Sequence, residues 1–276
     1  MGALPNSYPG YQNVTVPEIR EKFEKAWGVP LSDKVGCPIT HVPERILHEK
    51  DEKKRIHAYY IFGEDPAQSD PDLAEVREAL DKCDFVVMQD IYMNKTGLYA
   101  DVILPATAWG ENEGIYTCAD RGFQRVRKLI EPEGDMRPDW QIIADISTAM
   151  GYPMNYKNTE EIWNEMIELC PSFKGATYEK IEKYGGVQWP CRDKSMEDKG
   201  TPYLHKDGIF ATKDHKALFY GTDWHPPVEL ENDQYPMTLS TVREVDVYKR
   251  QSIFCAILFF SKSSEISTIF INDCPL

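Results

Sequence analysis

Residues 57–105, HAYYIFGEDPAQSDPDLAEVREALDKCDFVVMQDIYMNKTGLYADVILP, hold three short apolar runs set apart by polar, helix-forming text. His57–Phe62 is apolar and aromatic and stops at Gly63; Phe85–Met88 stops at Gln89 and Asp90; Val102–Leu104 stops at Pro105. Between the first two runs, Asp70 and Pro71 supply a helix cap and a first-turn proline, and Leu73, Val76 and Leu80 recur at helical spacing. Apolar runs this short, flanking a helix, predict a parallel sheet covered on both faces.

Toward the N-terminus, Thr15 and Glu18 have capping-box spacing and Pro17 suits a first turn, so a helix is expected with Ile19, Phe23, Ala26 and Trp27 on one face. Residues 28–50 carry enough Gly and Pro to keep any element there short. Beyond residue 108 comes a polar stretch, ENEGIYTCADRGFQRVRK. A helix follows at Asp139–Met150, stopped by Gly151, and another is capped by Asn158 with Glu161 and stops before Pro171. From Thr201 the text turns to short β-like pieces, GIFAT, ALFYG and YPMTLST. The last segment, 245–276, has balanced charge and an apolar run at Ile253–Phe260, whose ordinary reading is a buried strand and whose alternative is sequence foreign to the protein. The fold class is α/β: a parallel-sheet, doubly wound, nucleotide-binding-like domain, a helical crossover segment, and the start of a β-rich domain.

Composition narrows the function. The chain has 276 residues and a formal net charge of -14, with 42% hydrophobic residues. That suits a folded, soluble protein and argues against a nucleic-acid partner, which needs clustered Lys and Arg. No stretch approaches the ~20 apolar residues of a membrane span, and MGALPNSYPG has neither the basic nor the apolar region of a secretory signal. The seven cysteines are scattered without a CxxC, and the six histidines without HExxH, so no metal ligand set and no disulfide framework is legible. There is no GxGxxG, GxxxxGK[ST] or GxSxG.

In an open parallel sheet, ligands bind beyond the carboxyl ends of the strands. Here those ends are Gly63-Glu64-Asp65, Gln89-Asp90 and Pro105-Ala106-Thr107. A carboxylate suits a guanine edge, because it accepts from both the ring N–H and the exocyclic amine. The ordinary reading of such acids is nonetheless as caps and solvated strand ends, and of Asp139, in Pro138-Asp139-Trp140, as a partner of its helix dipole. Asp120, Arg121 and Arg125 read ordinarily as a surface salt-bridge cluster. From the residues alone no catalytic group is visible.

Several strings carry a resemblance: MGALPNSYPGYQ, GEDPAQSDPDL, VMQDIYMNKT, ADVILPATAWGENEG, TCADRGFQR, RPDWQII, GYPMNYKNTEEIW, QWPCRD and YPMTLSTVRE. Over about residues 1–244 the chain resembles the molybdopterin oxidoreductase family, and within it the formate dehydrogenase catalytic subunits. PATAWGENEGIYTCADRGFQR favours that branch over nitrate reductase or another molybdopterin enzyme. A reading from a different class is a non-catalytic binding or interaction protein using the acidic surface.

The resemblance implies two molybdopterin guanine dinucleotides holding Mo or W, with a [4Fe-4S] cluster whose ligands are not in this chain. It implies formate as substrate, oxidised to carbon dioxide, with electrons leaving to an iron–sulfur subunit or hydrogenase complex, in the cytoplasm of an anaerobic metabolism. It implies that residues 1–108 are part of a dinucleotide-binding α/β domain, 109–202 an inter-domain segment, 203–244 the start of a C-terminal β-rich domain, and 245–276 a non-family tail. Carried over by position, Gly63, Glu64, Asp65 and Ser69 match one guanine-side loop, and Gln89 and Asp90 the pair after the next strand. Asp139 matches a guanine anchor, and Ala106, Thr107 and Asn112 a less regular contact stretch. Thr241, Val242 and Arg243 match the start of a C-terminal cofactor loop. For Asp65, Asp90 and Asp139 the resemblance turns the reading from caps to binding. It places no catalytic residue and no metal ligand in this chain. The expectation is an internal fragment, inactive alone, with Met1 an internal methionine.

Overall fold

A computed structural model describes residues 4–226, 230–242, 256–261 and 266–270, with side chains through residue 237. The chain divides into two units, Met1–Lys206 and Asp207–Leu276.

The first unit is built around the expected sheet. Strands β3 (Ala58–Phe62), β4 (Phe85–Asp90) and β5 (Val102–Pro105) lie parallel in that order. Their register sets Phe62 beside Gln89 and Gln89 beside Leu104, so the polar strand ends emerge on one edge. Ahead of them come a small hairpin, β1 (Ser7–Tyr8) and β2 (Gln12–Asn13), then α1 (Pro17–Trp27) and α2 (Val42–Leu47). The crossover from β3 to β4 contains two helices, α3 (Pro66–Ser69) and α4 (Leu73–Lys82). Ile61, Ala67, Val76, Leu80 and Val86 pack there as one cluster, and Val42, Ile46 and Ala79 as a neighbouring one.

Three local expectations shift. The cap of α1 is Val16, without a side-chain bond, because Asn13 Oδ1 accepts from both the amide and the hydroxyl of Thr15 at 2.9 Å and closes a tighter turn. The cap of α4 is Asp72 at φ 52°, accepting from the Glu75 amide, because Pro66 opens a helix of its own that runs through Ser69. Cover over the sheet is uneven among the described residues: Gln89 is buried on the face that carries Tyr60, but much of that face is open. Tyr60, Phe62 and Phe85, on this face, stay 41–49% exposed, where coverage on both faces was expected.

The polar stretch after residue 108 is a hairpin, β6 (Gly114–Thr117) and β7 (Gly122–Val126), extended by β8 (Val187–Gln188). Helices α5 (Asp139–Ala149) and α6 (Thr159–Leu169) begin where expected, and Asn158 Oδ1 accepts from the Glu161 amide at 3.0 Å. With α7 (Tyr178–Tyr184), the hairpin and α6 enclose the main core: Phe123, Trp163, Ile167, Phe173, Ile181 and Val187. Phe123 meets Trp163 and Phe173 edge to face, both at 4.9 Å. Arg121 donates to the carbonyls of Trp189, Thr201 and Pro202, so it ties backbone rather than pairing with an acid; Arg125 does pair with Glu113, at 3.0 Å.

In the second unit, β9 (Met237–Val242), β10 (Ala256–Ser261) and β11 (Ile266–Phe270) form an antiparallel sheet with β10 central. YPMTLST thus contributes a strand. GIFAT and ALFYG form none, and Ile209, Leu218, Phe219 and Tyr220 are exposed there. Residues 253–255 of the apolar run lie outside the described residues. Cys37, Cys83, Cys118, Cys170 and Cys191 are free thiols, the last two buried; Cys255 and Cys274 lie outside the described residues. Among the described residues, no helix is long and apolar enough to cross a membrane, and no group of His, Cys, Asp and Glu is placed to hold a metal.

Candidate functional site

The strand ends and the start of α5 meet at the carboxyl edge of the parallel sheet. What brings α5 there is a backbone tether. Ala106 and Arg137 form a parallel bridge, with the Arg137 amide donating to Pro105 and the Thr107 amide to Arg137. Asp139, two residues further on, therefore starts its helix beside the ends of β4 and β5.

There Gln89, fully buried, donates from Nε2 to Asp139 Oδ1 at 2.7 Å, while the Tyr60 hydroxyl donates to Gln89 Oε1. Burial pushes the Asp139 carboxyl above the usual range; the Gln89 bond opposes that rise and the nearby Asp90 charge adds to it. Tyr60 and Tyr116 are raised in turn, first by burial and then by the Asp139 charge. Gln89, Asp90, Asp139 and the two phenols are thus one electrostatic group.

Asp90 and Asp65 are used differently. Asp90 Oδ1 accepts from the amides of Ile91 and Tyr92, and Oδ2 from Asn94 at 2.8 Å. Asp65 Oδ1 accepts from the amide and hydroxyl of Thr96, at 2.9 and 2.7 Å, and fixes the 3-10 turn at Thr96–Tyr99. Asn94 also reaches the Glu64 carbonyl at 3.4 Å, so one side chain links the loops after β3 and β4. Gly63, at φ 63°, donates to the Gln89 carbonyl, and the Ser69 hydroxyl returns to the Asp65 carbonyl. Thr107 is buried, and its Oγ1 bonds to no group among the described residues.

Asp139 also lines a cleft of about 360 Å³. Asn112, Tyr116, Trp140, Trp163 and Phe173 share its walls, which are largely apolar; Asp65 and Asp90 do not line it. The structure therefore brings Asp139 together with Gln89 and Asp90 on one side and with Asn112 on the other. Asp65 belongs to the loop linked through Asn94. Thr241 and Val242 lie in β9 of the second unit, and Arg243 lies outside the described residues. Sequence reading missed Tyr60 and Tyr116. The signal for Tyr60 was the strand alternation, which sets it on the sheet face opposite buried Ile61, the face that also carries Gln89.

The molybdopterin oxidoreductase profile matches residues 37–149, the span that carries the parallel sheet and α5. Formate dehydrogenase H of Escherichia coli is 52% identical over 261 residues, covering 94% of this chain and 36% of that protein. The chain belongs to the molybdopterin oxidoreductase family. F420-dependent formate dehydrogenase subunit alpha of Methanocaldococcus jannaschii is 38% identical over 250 residues, 90% of this chain and 35% of the relative. Acetylene hydratase of Pelobacter acetylenicus aligns with a TM-score of 0.48 at 19% identity, over 63% of this chain and 24% of that one. The chain spans about a third of the length of the two formate dehydrogenases.

Proposed function

We propose that this chain is part of a formate dehydrogenase catalytic subunit and that it supplies one face of the site for a molybdopterin guanine dinucleotide. The observation that carries this is the 52% identity to formate dehydrogenase H over nearly the whole chain. The residues present fit the group. Asp139 offers a half-buried carboxylate, the acceptor a guanine edge needs, held on one oxygen by Gln89. Thr107, two residues past β5, adds a buried hydroxyl with no partner among the described residues. Asp139, Thr107 and Asn112 would hold the nucleotide end, with Gly63, Glu64, Asp65, Ser69 and Asp90 shaping the adjoining loops.

The chemistry that a metal–pterin group would supply there is acceptance of the two electrons released as formate becomes carbon dioxide. This chain's residues bind and orient; none of them is assigned to the metal, to the [4Fe-4S] cluster or to formate. The choice of Mo or W, a second dinucleotide, an iron–sulfur or hydrogenase partner and a cytoplasmic setting are parts of the same proposal.

The purified chain tests it. Calorimetry with GMP is expected to show binding that Asp139→Asn weakens, and viologen-dye assays are expected to show no formate turnover. A monomeric, stably folded chain with no affinity for GMP would support the acidic interaction-protein reading instead. Stoichiometric molybdenum with turnover would refute the reading that no residue of this chain holds the metal.

A further inference from the structure

We propose that Tyr60 is a positioning residue for nucleobase recognition: it locks the Gln89 amide in one orientation, and the locked amide holds Asp139 for a purine that presents two N–H donors. This rests on the dinucleotide reading above and adds a residue and a selectivity to it.

The orientation follows from donor and acceptor chemistry. An ionised carboxylate only accepts, so the Gln89 end facing Asp139 must be Nε2. Oε1 then faces Tyr60, and the phenol must donate to it. Gln89 is fully buried, so no solvent replaces either partner. Its amide is used at both ends within the chain, and its influence on a ligand passes through Asp139. One oxygen of Asp139 is thereby fixed. A guanine edge, with a ring N–H and an exocyclic amine, uses a carboxylate fixed in this way more fully than hypoxanthine, which has the ring N–H alone.

Without the phenol, Oε1 is a buried acceptor with no donor, and rotating the amide by half a turn would set it against the carboxylate. Either arrangement weakens the larger of the two bonds that counter the rise in the Asp139 pKa, the other being to its own backbone amide. Besides burial, the Asp90 carboxylate and the Asp139 backbone amide act on Asp139, and the Tyr116 phenol faces it; Tyr60→Phe leaves all three in place.

Two measurements on the full chain and Tyr60→Phe decide it. Carboxyl carbon NMR, with Asp139→Asn to assign the signal, follows the titration of Asp139. Calorimetry compares GMP with IMP. The expected results are an Asp139 titration displaced to higher pH in Tyr60→Phe, and a GMP-over-IMP preference reduced about 10-fold, the cost of one lost hydrogen bond. An unmoved Asp139 titration overturns the role of Tyr60, whatever GMP does. A displaced titration in a chain that binds neither nucleotide overturns the nucleobase assignment and the selectivity with it, while the contact between Tyr60 and Gln89 stands.

Discussion

Asp65 and Thr96 face each other across the loops after β3 and β4, carboxylate to hydroxyl at 2.7 Å, with the Thr96 amide on the same oxygen at 2.9 Å. Thr96 is fully buried, and its own oxygen accepts from the Ala67 amide. An acid at a strand end thus holds two loops and the start of α3 together before any ligand arrives. Asp65→Ala leaves buried donors unpaired and is expected to destabilise the first unit by about 1–3 kcal/mol, read from urea unfolding. Asp65→Asn, which keeps one acceptor, should lose less.

Phe123 anchors the main core of the first unit. It is buried and packs edge to face on both Trp163 and Phe173. Phe123→Ala removes a ring that neither Trp163 nor Phe173 can replace, and a loss of about 3–5 kcal/mol is expected in denaturant unfolding. Phe123→Leu should recover most of it.

Asp139 makes stability depend on pH in a direction opposite to most acids. Its folded pKa is raised, chiefly by burial, above the ordinary 3.8. The folded chain therefore binds more protons than the unfolded one between 3.8 and that raised value, and stability falls as pH rises through the window. Urea unfolding of the chain and of Asp139→Asn across this range should give a steeper fall with pH for the parent. An identical pH dependence in both would contradict the shift.

The open sheet face should be sticky. Tyr60, Phe62, Phe85 and Val102 are exposed on one side of a parallel sheet, an arrangement ordinarily covered. The purified chain is expected to bind a hydrophobic dye and to self-associate in sedimentation. Phe62→Lys with Phe85→Lys should reduce both.

The parallel sheet was legible because its strands are short apolar runs that end in turn residues, and Val76 and Leu80 turned inward as their spacing requires. The hairpin at Gly114–Val126 was not. Its exposed positions carry polar side chains, and the turn uses Arg121 at φ 67°, held by three carbonyls far along the chain. The site was half legible. Residue type and position marked Asp139 and Gln89, but the bond between them spans fifty residues, and Tyr60 joins from a third element. Local spacing cannot report such a meeting.

The bridge between Ala106 and Arg137 has a consequence for how this sequence can vary. Because Arg137 is registered on the sheet edge by its own amide and carbonyl, the landing point of Asp139 is set by two backbone bonds and not by the path taken to reach it. Residues 131–136, between the Gly110 contacts of Leu129 and Ile130 and this bridge, are expected to tolerate changes of length and sequence while the helix starts in the same place. The excursion is free to diversify while the anchor stays put.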